Sequence, residues 1–231
     1  MPRPLRFRSV TGHCDTPSDV CCVIERLDMN RNKKMTEQVL TGAAIADGRD
    51  DVATLRLEIF REYPYLYQGR REDELEYLGT YAAAPDACVI LAYDGDAVIG
   101  AVAGMPLIHE NLQMIDAFAG TTFPLDEVYY VGELLFRPAY RNCGLGRKLL
   151  DRLESHICSL DRYRTLTCAT VERPDDHPLR PRDYIAITKF LARTDFAQLT
   201  GVKTSFTWRE IDGVKRDHLM QFWFKLIDKQ L

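Results

Sequence analysis

The sequence predicts a single mixed α/β domain, and three observations carry that expectation. Apolar runs of strand length alternate with stretches of helical period from about Val39 to Leu226. No internal repeat or second apolar cluster breaks the alternation. Hydrophobic residues make up 46% of the 231 residues and charged residues 28%, so one core can fold without disulfide or metal staples.

The elements follow in order. Val39 to Ala46 is a short apolar run closed by Asp47-Gly48, which predicts a first strand. Asp50-Asp51 then precede Val52, Leu55, Ile59 and Phe60, with acids in front and a helical period behind, so a helix is expected up to Tyr63-Pro64. A tyrosine-rich connection covers 63–69, and a second helix covers Glu72 to Ala83. Cys88–Tyr93 and Ala97–Ala103 flank Asp94-Gly95 and predict a β-hairpin. Glu110 to Ala117 reads as a short helix. Val128 to Phe136 reads as a strand ended by Pro138. Leu149, Leu150, Leu153, Ile157 and Leu160 mark a long amphipathic helix, and Thr165 to Val171 a further strand. A proline-rich connection, Arg173 to Pro181, leads to a helix from Asp183 to Arg193, and strands near Thr204–Glu210 and Met220–Leu226 close the chain.

Residues 1–34 differ from this pattern. They lack periodicity and contain Asn30-Arg31-Asn32-Lys33-Lys34, so a disordered tail or extension is expected ahead of a domain at 35–231. A basic arm for a partner, or a metal site from His13, Cys14, Cys21 and Cys22, is the sharper alternative, but that spacing matches no ligand pattern, and no metal is expected. The tail is net +3, which leaves −7 on the rest; a total of −4 gives no general pull toward nucleic acid. No apolar run approaches the ~20 residues of a membrane-spanning helix, and no secretory signal is visible. With seven cysteines and no C-x-x-C pair, a reducing cytoplasm is the expected compartment.

The most informative segment is Phe136-Arg137-Pro138-Ala139-Tyr140-Arg141-Asn142-Cys143-Gly144-Leu145-Gly146-Arg147-Lys148. A strand runs into a loop with two glycines, and the loop runs into a helix. The first amides of a helix lack partners, and the helix dipole adds partial positive charge there, so the junction suits a pyrophosphate. Glycine lets the backbone approach it closely. A P-loop would need an earlier glycine and a Ser/Thr after the lysine; a dinucleotide fold would need Gly-x-Gly-x-x-Gly early in the chain. Neither is present.

This segment resembles motif A of the GNAT superfamily of N-acetyltransferases, whose signature is Arg/Gln-x-x-Gly-x-Gly/Ala: Arg141, Gly144 and Gly146 fill its three fixed positions. The order of elements from Val39 to Leu226 is similar to the family's too. The resemblance implies a mixed, mostly antiparallel central sheet flanked by helices, with acetyl-CoA as co-substrate. It implies that the pyrophosphate lies on the loop Arg141, Asn142, Cys143, Gly144, Leu145 and Gly146 plus Arg147. It further implies that the pantetheine arm pairs with backbone groups of Leu134, Leu135 and Phe136. The acceptor would be an amine of a small molecule or peptide; a longer acyl group is a remoter option, and a homodimer is one assembly open to such a chain.

Attack on a thioester needs the acceptor ammonium to lose a proton first. Glu133 is the candidate base, as the one charged side chain in an apolar and aromatic strand, where partial burial would raise its pKa; a structural ion pair is its other reading. Many family members protonate the thiolate with the tyrosine of a Tyr-x-x-x-Gly-Phe stretch. Here Leu191 and Asp195 stand where that tyrosine and glycine would be. Tyr184 is the candidate substitute, with Tyr129 and Tyr130 behind it. The missing tyrosine also keeps open a non-catalytic acetyl-CoA or CoA sensor. The acceptor pocket is expected between the 63–67 connection and 173–181, where Asp175, Asp176 and His177 could read a cation.

Overall fold

Several strands of this chain are apolar on both faces, as β-strands must be when helices cover a sheet from both sides. The computed structural model describes residues 35–227 and shows that arrangement. Seven strands form one sheet in the order β1-β2-β3-β4-β5-β7-β6: β1 Met35–Thr41, β2 Cys88–Asp94, β3 Ala97–Pro106, β4 Val128–Phe136, β5 Thr165–Val171, β6 Ala197–Arg209 and β7 Lys215–Leu226. Every neighbouring pair is antiparallel except β4 and β5. The five α-helices among the described residues are α1 Ile45–Ile59, α2 Arg71–Ala83, α3 Leu112–Asp116, α4 Leu145–Ser159 and α5 Ile187–Arg193.

One face of the sheet lies under α4, whose Leu149, Leu150, Leu153 and Ile157 are fully buried against Cys88, Ile90, Val102 and Leu166. Each such side chain contributes roughly 1.5–3 kcal/mol relative to exposure. The other face lies under α1 and α2, where Val52, Leu55, Leu78 and Tyr81 meet Val89, Leu91, Ala101 and Leu135. A third cluster, with Leu107, Phe118, Val128 and Phe222, seals the end beneath α3.

Two irregularities position the site. Only three register pairs join β4 to β5, from Val128↔Thr165 to Tyr130↔Thr167, and beyond them the strands part. Opposite Ala103/Gly104, the β3–β4 register shifts so that Gly132 is an extra residue in β4. Such a bulge turns the strand. Gly132 has to be glycine, because the Tyr81 hydroxyl occupies the space a Cβ would need.

The elements match the expected series, with shifted boundaries. The first strand ends at Thr41, and α1 begins at Ile45 rather than at Asp50. Gly42, at φ 55, makes the turn between them, and the Ile45–Val52–Leu55 stripe takes the apolar run into the helix instead. α3 is limited to Leu112–Asp116, capped by the Asn111 side chain accepting from the Met114 amide. β3 runs on to Pro106, while β6 and β7 begin at Ala197 and Lys215 as a long hairpin whose polar outer positions hid the strand period. α5 begins at Ile187, so Tyr184 lies in the connection ahead of that helix and not on it. The expectation for residues 1–34 lies outside the described residues.

Candidate active site

Beyond Tyr130 the edge of β4 that faces β5 has no strand partner, and a cleft of about 1890 Å³ opens there. Leu134 and Phe136 line it; Leu135 points the other way, into the core under α1 and α2, so only its backbone is available to the cleft. β4 leads through a turn at Pro138–Tyr140 to Gly144, which stands at φ 90 immediately before α4. That left-handed conformation favours glycine. No side chain among the described residues caps α4, so its first amides remain available.

The loop side chains alternate. Arg141, Asn142, Gly144, Gly146 and Arg147 line the cleft, whereas Leu145 is buried in the core and the Cys143 thiol donates to the Tyr140 carbonyl at 3.0 Å. Gly146 has no positive φ. A Cβ there would meet Phe136 and Phe190 at ordinary distances of 3.4 and 3.5 Å. Neither backbone nor packing requires glycine at that position.

The cations of the loop already have partners. Arg141 donates from Nε to the Phe136 carbonyl at 2.8 Å and pairs with Glu62 at 2.8 Å. Arg147 pairs with Asp151 at 2.7 Å, and Lys148 with Glu37 at 2.6 Å. These pairs are solvent-exposed and cost little to exchange for another anion.

Glu133 faces away from the cleft-lining Leu134, toward α1 and α2, and is fully buried. Arg56, itself mostly buried, bridges Glu133 and Glu74, and its guanidinium lies 4.5 Å from the centre of the Tyr77 ring. Glu133 Oε2 has no partner among the described residues. Burial pushes the Glu133 carboxyl up to about 7; Arg56 opposes that rise, while Glu74 and Glu110 add to it. So the ion pair and the raised carboxyl, weighed as alternatives from the sequence, occur together.

Tyr184 is half-buried and packs edge-on to Tyr63 at 4.7 Å. Burial raises its pKa, and Arg141 is close enough to oppose the rise. Tyr129 donates to the Gly104 and Asp86 carbonyls at 2.8 and 3.0 Å and belongs to the core, as does Tyr130. Leu191 is fully buried, while Asp195 adopts φ 66, the conformation that a glycine at that position would supply.

The expected acceptor segments do meet. Arg173 donates to the carbonyls of Pro64 and Tyr65 at 2.7 and 3.1 Å and pairs with Glu210 at 2.6 Å. Asp175 is tied to Arg180. Sequence reasoning did not single out Tyr65. Its ring lies 4.4 Å from Phe60, it lines the cleft, and its hydroxyl makes no hydrogen bond among the described residues. Burial raises its ionisation out of the physiological range, with Glu133 adding to the rise. The cluster of tyrosines at 63–67 was the available signal, but spacing alone could not say which of them turns inward.

A family model described as the acetyltransferase (GNAT) family matches residues 52–179, more than half of the chain. The chain belongs to the GNAT acetyltransferase family. The match runs from within α1 through the parted strands and the glycine loop into the proline-rich connection, so it includes the free edge of β4 and the start of α4. Among solved structures, this GNAT chain is similar to an acetyltransferase from Thermus thermophilus, with 16% identity and a TM-score of 0.51 over 84% of this chain and 97% of that one. It is also similar to yncA from Salmonella typhimurium, a structure with its cofactor acetyl-CoA, with 13% identity and a TM-score of 0.53 over 86% and 96%. An N-acetyltransferase from Staphylococcus aureus Mu50 gives 10% identity and a TM-score of 0.54 over 84% and 99%. At these identities the likeness is one of fold. A sequence search among curated proteins finds no match. Among the described residues no group of three or more His, Cys, Asp or Glu could hold a metal ion, and no helix is long and apolar enough to cross a membrane.

Proposed function

We propose that this GNAT protein transfers the acetyl group of acetyl-CoA to the amine of a small molecule or peptide by direct attack on the thioester. The observation that carries the reading is the uncapped first turn of α4, opening beside the unpaired edge of β4 in one cleft. The amides of Leu145, Gly146 and Arg147 would hold the pyrophosphate. The pantetheine arm would add to the free edge of β4 at Leu134–Phe136 as an extra strand does. Acetyl-CoA in the similar Salmonella structure supports this choice of donor.

In the transfer the acceptor nitrogen bonds to the acetyl carbonyl carbon, the C–S bond breaks, the amine gives up a proton, and the CoA thiolate leaves and takes one. Glu133 is the proposed proton acceptor. Its side chain is turned from the cleft, so the proton reaches it through water or the Tyr65 hydroxyl rather than by direct contact. Tyr184, a neutral phenol whose pKa burial raises further, is the proposed donor to the thiolate.

The Arg56 bridge on Glu133 favours one other reading, a CoA-binding domain without catalysis. Release of free thiol from acetyl-CoA in the presence of a panel of amines separates the two. The transferase reading expects amine-dependent release with an equal yield of amide. Tight acetyl-CoA binding with no release from any amine class would leave the binding domain.

A further inference from the structure

Five of the eleven large apolar side chains that are exposed among the described residues line this one cleft: Leu179, Ile185, Ile187, Ile211 and Leu219, at 36–55% exposure, with Leu219 and Ile211 on or beside the β6–β7 hairpin. Two of them are held in place by backbone contacts. The Ile211 amide donates to the Leu66 carbonyl at 2.8 Å, and the Glu172 amide to the Leu219 carbonyl at 2.8 Å. Arg173, next in the chain, ties this wall to Pro64 and Tyr65. An exposed apolar concentration of this kind marks a binding surface.

The charges of the cleft point the same way. Four acids line it, and three are already held: Glu62 by Arg141 at 2.8 Å, Glu172 by Lys203 at 2.8 Å, and Asp175 by Arg180. Only Asp183, an exposed residue, has no ion-pair partner among the described residues. Five arginines stand in the same lining. An acceptor with several ammonium groups would lose water here and gain at most the one carboxylate of Asp183, leaving its other charges uncompensated, which is unfavourable. A single ammonium can be held by the faces of the cleft tyrosines, and an apolar body would cover the wall.

We infer that the acceptor is a hydrophobic primary amine, with one ammonium group on an aromatic or aliphatic body, seated against Leu219, Ile211, Ile185 and Leu179. The inference rests on the transferase reading for its chemistry, but the wall itself does not.

The test compares 2-phenylethylamine and hexylamine with spermidine and a lysine-rich peptide as acceptors, by thiol release, and by calorimetry with the CoA-loaded protein. The hydrophobic monoamines should exceed spermidine in kcat/KM by roughly 100-fold, the order an apolar pocket achieves for a single methylene. Leu219→Lys with Ile211→Lys should erase that preference, and the gentler Leu219→Ser should weaken it, both without change in acetyl-CoA affinity. Spermidine or the peptide serving as well as the monoamines would overturn the inference while leaving the transferase reading in place. Monoamine binding that is tighter than spermidine binding but brings no thiol release would support the wall and sink the transferase reading. Absence of both binding and turnover with the monoamines would overturn the inference.

Discussion

The two halves of the cleft are built in different ways. The proposed donor half is made of backbone: the free edge of β4, a glycine at φ 90, and the uncapped amides of α4, all on long elements whose apolar faces are locked into the core. The other half is made of side chains on connections, Tyr63, Tyr65, Leu179 and Ile185, fixed by Arg173, by the Tyr63–Tyr184 edge contact and by the β6–β7 hairpin. A backbone site needs few particular residues, and those few are nearly obligatory. A side-chain site can be rebuilt with many residues on the same frame. That contrast would let one frame keep its donor while its acceptor changes, and perturbations should respect it.

The largest effect is expected between the halves. Glu133→Gln should leave the fold and acetyl-CoA affinity intact and lower kcat by roughly 10²–10⁴-fold, as for a lost general base. In the wild type kcat should rise as pH increases through about 7, where Glu133 becomes ionised, and the Gln variant should lack that limb. Stability carries the opposite sign. The native carboxyl binds its proton more tightly than the unfolded one, so its contribution is full below about 4.5 and declines as pH rises to about 7. Urea midpoints of the Gln variant should be flatter across that window. An unchanged kcat–pH profile would remove Glu133 from the chemistry and leave it a partner of Arg56.

Arg56→Met should be the costliest change to the fold. It strands Glu74 and Glu133, both almost fully buried, without their shared cation. Breaking such a pair costs roughly 3–5 kcal/mol, readable as the shift in chemical denaturation. Arg56→Lys should recover only part of it, because an ammonium cannot reproduce the planar guanidinium fork between two carboxylates. A stability loss under about 1 kcal/mol, the scale of an exposed ion pair, would mean that the network is more hydrated than its burial indicates.

The smallest effects belong to the loop cations. Arg147→Ala removes an exposed pair with Asp151 and should change stability by no more than about 0.5 kcal/mol. It should weaken acetyl-CoA by less than about tenfold, or 1.4 kcal/mol. A larger loss would move the donor site from backbone toward side chains and blur the contrast between the halves.

What the sequence made legible follows the same division. Arg141, Gly144 and Gly146 lie close together on a strand–loop–helix junction, so local spacing was enough to locate that junction, on which the proposed donor half rests, and the apolar stripes of α4 and β2 were enough to order the core. The direction of Glu133 was not legible, because the extra residue at Gly132 resets which face each later β4 side chain takes. The inward turn of Tyr65 depends on contacts to Trp208 and Arg173, more than 100 residues away. The early start of β6 was hidden by exposed polar side chains on an outer strand of the sheet.

The most direct measurement uses Gly146, the residue that the protein's own packing and backbone leave free to change. Gly146→Ala should keep or raise the melting temperature, since alanine favours a helix over glycine by about 1 kcal/mol, and its Cβ meets nothing closer than 3.4 Å. If the α4 amides hold the pyrophosphate of acetyl-CoA at close approach, the same methyl group should raise the calorimetric Kd by roughly tenfold or more, about 1.4 kcal/mol, and Gly146→Asp should abolish binding. A well-folded Gly146→Ala protein that binds acetyl-CoA as tightly as the wild type would contradict a donor site built on that backbone.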